Sequence, residues 1–155
     1  MPLTLWRLVK ARHATSAFDG EGARRYGGRW NERGTAIVYL GGTLSLAALE
    51  TFVHLTAADA RIAFAAIEVR VPDDLEIAFL APDALPENWR EEPPPEQTKA
   101  LGTEWARRAQ TLLLRVPSAI VPNEWNYLLN PAHAAVGRIE LRPPTPFGFD
   151  ERMWK

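Results

Sequence analysis

The run Thr35-Ala36-Ile37-Val38-Tyr39-Leu40-Gly41, followed at once by an apolar stripe of helical spacing, constrains the fold most. A nearly continuous apolar stretch rich in Val, Ile and Tyr reads as a buried strand over residues 35–41. Gly41-Gly42 ends it, and Thr43 or Ser45 offers an oxygen to the free N–H groups of the next element. From there Leu46, Leu49, Phe52, Val53 and Leu55 follow helical spacing. Glu50 sits within that helix, four residues before His54, so the two share a face. A carboxylate buried among apolar residues without partners is costly, so Glu50 calls for a chemical reason.

Short elements continue on both sides. Residues 3–9, 61–71 and 75–80 read as strands, and 17–31, glycine- and arginine-rich without periodicity, as an ordered loop. Residues 82–95 hold five prolines among acidic residues, which predicts a surface excursion too short to divide two domains. Residues 97–108 read as a short helix. Residues 111–116 and 119–121 read as strands hinged at Pro117-Ser118, 126–130 as a turn or short helix, and 137–141 as a final strand. Many short strands with two or three helices predict an α+β fold, a single domain over 1–155. At 155 residues and 46% apolar, the chain has enough surface to bury a sizeable core.

Charge and composition exclude several functions. Eighteen Lys and Arg against nineteen Asp and Glu supply no broad phosphate-neutralising face, so direct DNA binding is not expected. The cluster Arg24, Arg25, Arg29 and Arg33 is nonetheless basic and suits a small anion. The absence of cysteine excludes a disulfide scaffold, thiolate metal sites and a cysteine nucleophile, and points to a reducing compartment. Residues 1–7 lack a signal-peptide pattern and no apolar run approaches membrane-spanning length, so a cytoplasmic location and no membrane contact are expected. Three scattered histidines predict no metal site. Neither a dinucleotide-binding nor a phosphate-binding glycine motif is present, so no cofactor is expected.

The segments Trp6-Arg7, Gly28-Arg29-Trp30-Asn31, Val38-Tyr39-Leu40, Ser45-Leu46-Ala47-Ala48-Leu49-Glu50 and Val116-Pro117-Ser118 occur in that order. Asn126-Tyr127-Leu128-Leu129-Asn130-Pro131-Ala132-His133 and Phe149-Asp150-Glu151-Arg152-Met153-Trp154 follow them. In order and spacing the chain resembles the RES domain proteins, named for a characteristic arginine, glutamate and serine. The resemblance implies a toxin of a type II toxin–antitoxin pair, with an ADP-ribosyltransferase-like fold and an Xre-type helix-turn-helix antitoxin as partner. A homodimer within the toxin–antitoxin complex is a further implication. It also implies action on NAD+: degradation, as a glycohydrolase or phosphorylase, or transfer of ADP-ribose to a protein. By position Arg29, Glu50 and Ser118 are the name-giving, catalytic trio, with Arg7, Tyr39 and Tyr26 joining Arg29 and Ser118 in NAD+ binding.

The residue types suit those roles. Arginine forks bind a pyrophosphate bidentately. A fixed carboxylate binds a ribose hydroxyl and stabilises positive charge developing at the anomeric carbon. Tyr39 is placed to stack on nicotinamide or to bond a ribose, and Ser118 to anchor the carboxamide or ribose. Taken singly, Arg29 reads equally as a surface ion pair, Glu50 as a solvated helix position, Tyr39 as core and Ser118 as a turn. Ala48 and Leu49 stand where transferases of such a fold often place a second acidic residue, which tilts the reading to degradation. A non-catalytic nucleotide-binding module is the alternative from another class.

Overall fold

In the computed structural model, which describes residues 2–155, the alternation Leu3-x-Leu5-x-Arg7 forms strand β1 (Leu3–Lys10). It pairs antiparallel along its length with β3 (Phe64–Val71), Leu5 opposite Val69 and Arg7 opposite Ile67. Its other edge meets β2 (Val38–Gly41), where Trp6 lies opposite Gly41. From β2 the sheet continues through β6 (Trp125–Leu129), β5 (Leu113–Pro117) and β4 (Ile77–Phe79). From β3 it continues to β7 (Glu140–Leu141), and β8 (Thr145–Phe147) pairs with Phe64 to Ala66 of β3. The β4–β5 pair is parallel and the remaining pairs are antiparallel. With α1 (Glu21–Tyr26), α2 (Leu44–Phe52) and α3 (Glu96–Arg108), this is one mixed α+β domain.

Residues opposite each other in a ladder share a face, and successive residues alternate between faces. Leu5, Val38, Leu40, Val69, Leu113 and Leu129 form the core on one face, covered by Phe18, Val136 and Ile139. On the other face Leu114, Val116 and Leu128 pack with Trp30 and Ala106, the latter from α3. Leu8, Phe64 and Ala66 on that face pack under Ala47 of α2. Burying each large aliphatic side chain in such a layer contributes about 1.5–3 kcal/mol.

Tertiary pairing overrides the local pattern in several segments. Residues 126–130, expected as a turn or short helix, belong to β6, held on both edges by β2 and β5 with Tyr127, Leu128 and Leu129 buried. Residues 119–121, expected as a strand, form a bend, because the N–H groups of Ile120 and Val121 turn inward to the Ser118 hydroxyl. Residues 17–31 contain α1, a single short helix that ends at Gly27 with φ 74°. In the expected strand 137–141 only Glu140–Leu141 pairs, and the tail adds β8. Helix α2 ends at Phe52, so the exposed His54 lies beyond it and shares no helical face with Glu50.

Candidate functional site

Helix α2 starts at Thr43, whose hydroxyl oxygen accepts the N–H of Leu46 at 3.0 Å. It then lies flat against β2, because Gly41 has no side chain to hold it away: a Cβ there would sit 2.9 Å from the Ala47 nitrogen. One turn after Ala47 the helix delivers Glu50 over Asn126, the residue opposite Gly41 on β6. Glu50 Oε1 accepts two hydrogen bonds of 2.7 Å, from the Ser118 hydroxyl and from Nδ2 of Asn126. Among the described residues nothing hydrogen-bonds Oε2 of Glu50. The carboxylate is therefore aimed through one oxygen and available through the other.

Ser118 follows directly on β5 and is fully buried. Its oxygen accepts the N–H groups of Ile120 at 3.1 Å and Val121 at 3.0 Å while its proton goes to Glu50. With both lone pairs and the proton committed, Ser118 holds Glu50 in place.

Tyr39 and Asn126 are diagonal neighbours on adjacent strands, on one face of the sheet and about 7–8 Å apart in such a ladder. The Tyr39 hydroxyl donates to Oδ1 of Asn31 at 2.6 Å and accepts the N–H of Trp30 at 3.2 Å. Burial pushes its ionisation above the usual tyrosine range, opposed by the Trp30 N–H and the charge of Arg29. Asn31, fully buried, donates through Nδ2 to the carbonyls of Ala23, Glu32 and Thr35. Gly28 and Asn31 exchange backbone hydrogen bonds across a tight turn, which presents Arg29 and Trp30 at its tip. Gly28 is the residue that fits, since a Cβ there would lie 2.7 Å from the Tyr39 oxygen.

Arg7 and Arg29 are held by different parts of the fold. Arg7 donates through Nε to the Ala17 carbonyl at 3.1 Å and through NH1 to the Tyr39 carbonyl at 3.2 Å. Burial lowers its pKa to about 10, with Asp19 acting in the opposite direction, so it stays charged at neutral pH. Arg29 reaches into the proline-rich excursion, where NH1 donates to the carbonyls of Trp89 at 2.9 Å and Glu91 at 2.7 Å. Its NH2 pairs with the Glu92 carboxylate at 3.2 Å.

Tyr26 ends α1 with 75% of its surface exposed and stands outside these networks. The basic cluster is partly neutralised: Arg24 hydrogen-bonds Glu21, and Arg25 lies 3.5 Å from the same carboxylate. His133 accepts the Ala135 N–H through Nδ1 at 2.9 Å, a structural role. Depressions of about 650 and 380 Å³ lie along β3 and the 142–145 segment, and neither is lined by Glu50, Ser118 or Arg29. Among the described residues no group of three or more His, Asp or Glu side chains is arranged to hold a metal ion. No helix among them is long and apolar enough to cross a membrane.

Asn31 and Asn126 stand in the segments that carry the resemblance but have no site role assigned from sequence, and the Trp89–Glu92 contacts are not expected from it. The signal for Asn126 lies in Trp125-Asn126-Tyr127-Leu128-Leu129, a strand-like run that places the amide on the Glu50 side. The contacts of residues 89–92 with Arg29, some sixty positions away, have no local signal.

Known proteins share the sequence and the fold of this chain. The RES domain matches residues 4–150. A protein called Toxin Res from Yersinia enterocolitica is 40% identical over 152 residues, 97% of this chain and 99% of its own. A Prs ADP-ribosylating toxin from a Sphingobium species is 40% identical over 159 residues, covering 99% of this chain and 98% of its own. Among solved structures, a chain of the M. tuberculosis MbcT–MbcA toxin–antitoxin complex shares the fold with a TM-score of 0.76. That likeness covers 96% of this chain and 85% of the other at 22% identity. Matched across almost its whole length in both sequence and fold, the chain belongs to the RES domain family.

Proposed function

We propose that this RES protein is the toxin of a type II toxin–antitoxin pair and that it breaks the nicotinamide–ribose bond of NAD+. The observation that supports this most is the Glu50 carboxylate, held through Oε1 by Ser118 and Asn126 with Oε2 left for a ligand. In this reading Oε2 takes a ribose hydroxyl, and the fixed negative charge stabilises the oxocarbenium-like state as the glycosidic electron pair leaves with neutral nicotinamide. A preorganised group of this kind lowers the barrier by about 3–4 kcal/mol. Water or phosphate then adds to the anomeric carbon and releases a proton. Arg7 and Arg29 bind the pyrophosphate, and Tyr39, its hydroxyl committed to Asn31, offers its ring. The reading needs no part for Tyr26, no cofactor and no metal.

Ala48 and Leu49, preceding Glu50, provide no second carboxylate to position an acceptor, which favours degradation. Transfer of ADP-ribose to a protein is the second reading, favoured by the 40% identity to a relative named as ADP-ribosylating. The partner is an antitoxin of the Xre helix-turn-helix type, which makes any DNA contact, and the pair works in the cytoplasm. The neighbour's naming as a toxin–antitoxin complex supports an antitoxin partner.

The test is incubation of the pure chain with NAD+ labelled in the adenosine half, with and without cell extract. Nicotinamide release in buffer supports degradation, and label on a protein band only with extract supports transfer. Binding of NAD+ without turnover in either arm overturns both and leaves a nucleotide-binding module. Co-expression with the neighbouring antitoxin should relieve growth arrest.

A further inference from the structure

The surroundings of Arg29 reach beyond phosphate binding. Both N–H bonds of NH1 are taken by the Trp89 and Glu91 carbonyls, and NH2 faces the Glu92 carboxylate. The Arg29 side chain is 16% exposed, whereas that of Glu92 is 70% exposed. Arg90, within the same segment, donates through Nε to the carbonyl of Ala119 at 2.9 Å, next to Ser118. The Trp89 ring packs against Trp30 at 6.4 Å between centroids. Residues 89–92 thus join the turn that carries Arg29 to the bend that carries Ser118.

We propose that residues 89–92 form a strap whose Glu92 carboxylate occupies the edge of Arg29 that takes a phosphate oxygen, so that NAD+ binds by displacing Glu92. This rests on the reading of Arg29 as a pyrophosphate ligand. Arginine has five N–H donors in a rigid fork, and the two on carbonyls keep the group aimed without neutralising it. Carboxylate and phosphate present equivalent oxygens to the remaining edge. The Glu92 pair, long at 3.2 Å and open to solvent, is weak, while the two carbonyl bonds are shorter, at 2.9 and 2.7 Å, and the one to Trp89 is part-buried. A lone phosphate gains at Arg29 about what it loses by expelling Glu92. A dinucleotide gains further contacts at Glu50 and Arg7, so the strap makes occupation of Arg29 conditional on the rest of the ligand.

The test compares the full chain with E92Q and E92D, measuring ADP-ribose affinity by calorimetry and NAD+ turnover in parallel. Removing a competing exposed ion pair should tighten ADP-ribose binding about two- to fivefold in E92Q. The KM for NAD+ should fall by the same factor with kcat little changed, and added salt should shrink the difference. E92D, which keeps the charge, should behave as the parent. Equal or weaker ADP-ribose binding in E92Q, or no binding to either protein, overturns the strap. Tighter binding in E92Q with no NAD+ consumption by any protein keeps the strap and overturns the cleavage reading. NAD+ consumption with unchanged ADP-ribose affinity does the reverse.

Discussion

A Cβ on Gly41 would lie 2.9 Å from the backbone nitrogen of Ala47, so the helix bearing Glu50 rests directly on the strand bearing Tyr39. That contact sets the height of Glu50 above the sheet. Asn126, opposite Gly41 on the next strand, reaches Glu50 at 2.7 Å because no side chain intervenes. Gly41, the first of the glycine pair that ends the apolar run, is therefore part of how the carboxylate is aimed.

Gly41→Ala should lift α2 from the sheet. Overpacking against backbone costs about 1–3 kcal/mol. Activity should fall further than stability, since a misplacement of about 1 Å at a reacting group costs on the order of 10²-fold in rate. Chemical denaturation together with NAD+ turnover separates the two effects. A variant as active as the parent would show that the helix has another way to settle.

Three substitutions around Glu50 should give three different signatures. Glu50→Gln keeps an oxygen for Ser118 and Asn126, so the fold should hold while activity drops about 10²–10³-fold. Ser118→Ala also strips Ile120 and Val121 N–H of their acceptor, which should cost about 1–3 kcal/mol of stability besides activity. Asn126→Ala, at a half-buried position, should lower turnover with a smaller stability loss. Thermal melts beside nicotinamide release distinguish them, and full toxicity of Glu50→Gln in cells would remove the mechanism.

The local parts of this site are legible in the sequence, and its long-range ties are not. The cap at Thr43, the helix around Glu50 and the strand at Tyr39 follow from periodicity and glycine placement. Residues within a few positions of each other produce such signals. Ser118 reads on its own as a turn after proline, and its bond to Glu50 spans 68 positions. The strand carrying Asn126 is ambiguous alone and becomes a strand because β2 and β5 pair with both its edges. Composition describes residues 82–95 as a surface excursion, which is right for Glu91 and Glu92 but hides the carbonyls that grip Arg29.

Arg29→Lys should loosen that grip. An ammonium is a point charge and cannot hold two carbonyls while presenting a flat edge to a phosphate. Amide hydrogen exchange should rise across residues 89–92, and KM for NAD+ should increase about tenfold or more, as expected when charged hydrogen bonds worth about 1.5–3 kcal/mol are lost. Parent-like exchange with parent-like KM would show that Arg29 neither anchors the segment nor binds substrate.

Tyr39→Phe should expose how much the turn depends on one hydroxyl. The substitution removes the donor to Asn31 Oδ1 and the acceptor for the Trp30 N–H, which should cost about 1–3 kcal/mol near neutral pH. The effect carries a pH signature. The folded state holds the Tyr39 proton above the usual tyrosine range, chiefly because the hydroxyl is buried. The unfolded chain releases it near pH about 10, so the stabilisation is fully present below that value and is lost as pH rises beyond it. Arg7, lowered to about 10, titrates alike in both proteins and cancels in their difference. Urea denaturation at a series of pH values should therefore show a parent-minus-variant gap that is flat below pH about 10 and shrinks above it. A gap unchanged into the alkaline range would mean that the hydroxyl titrates as in the unfolded chain, and the enclosed Tyr39–Asn31 pair would not describe the protein in solution.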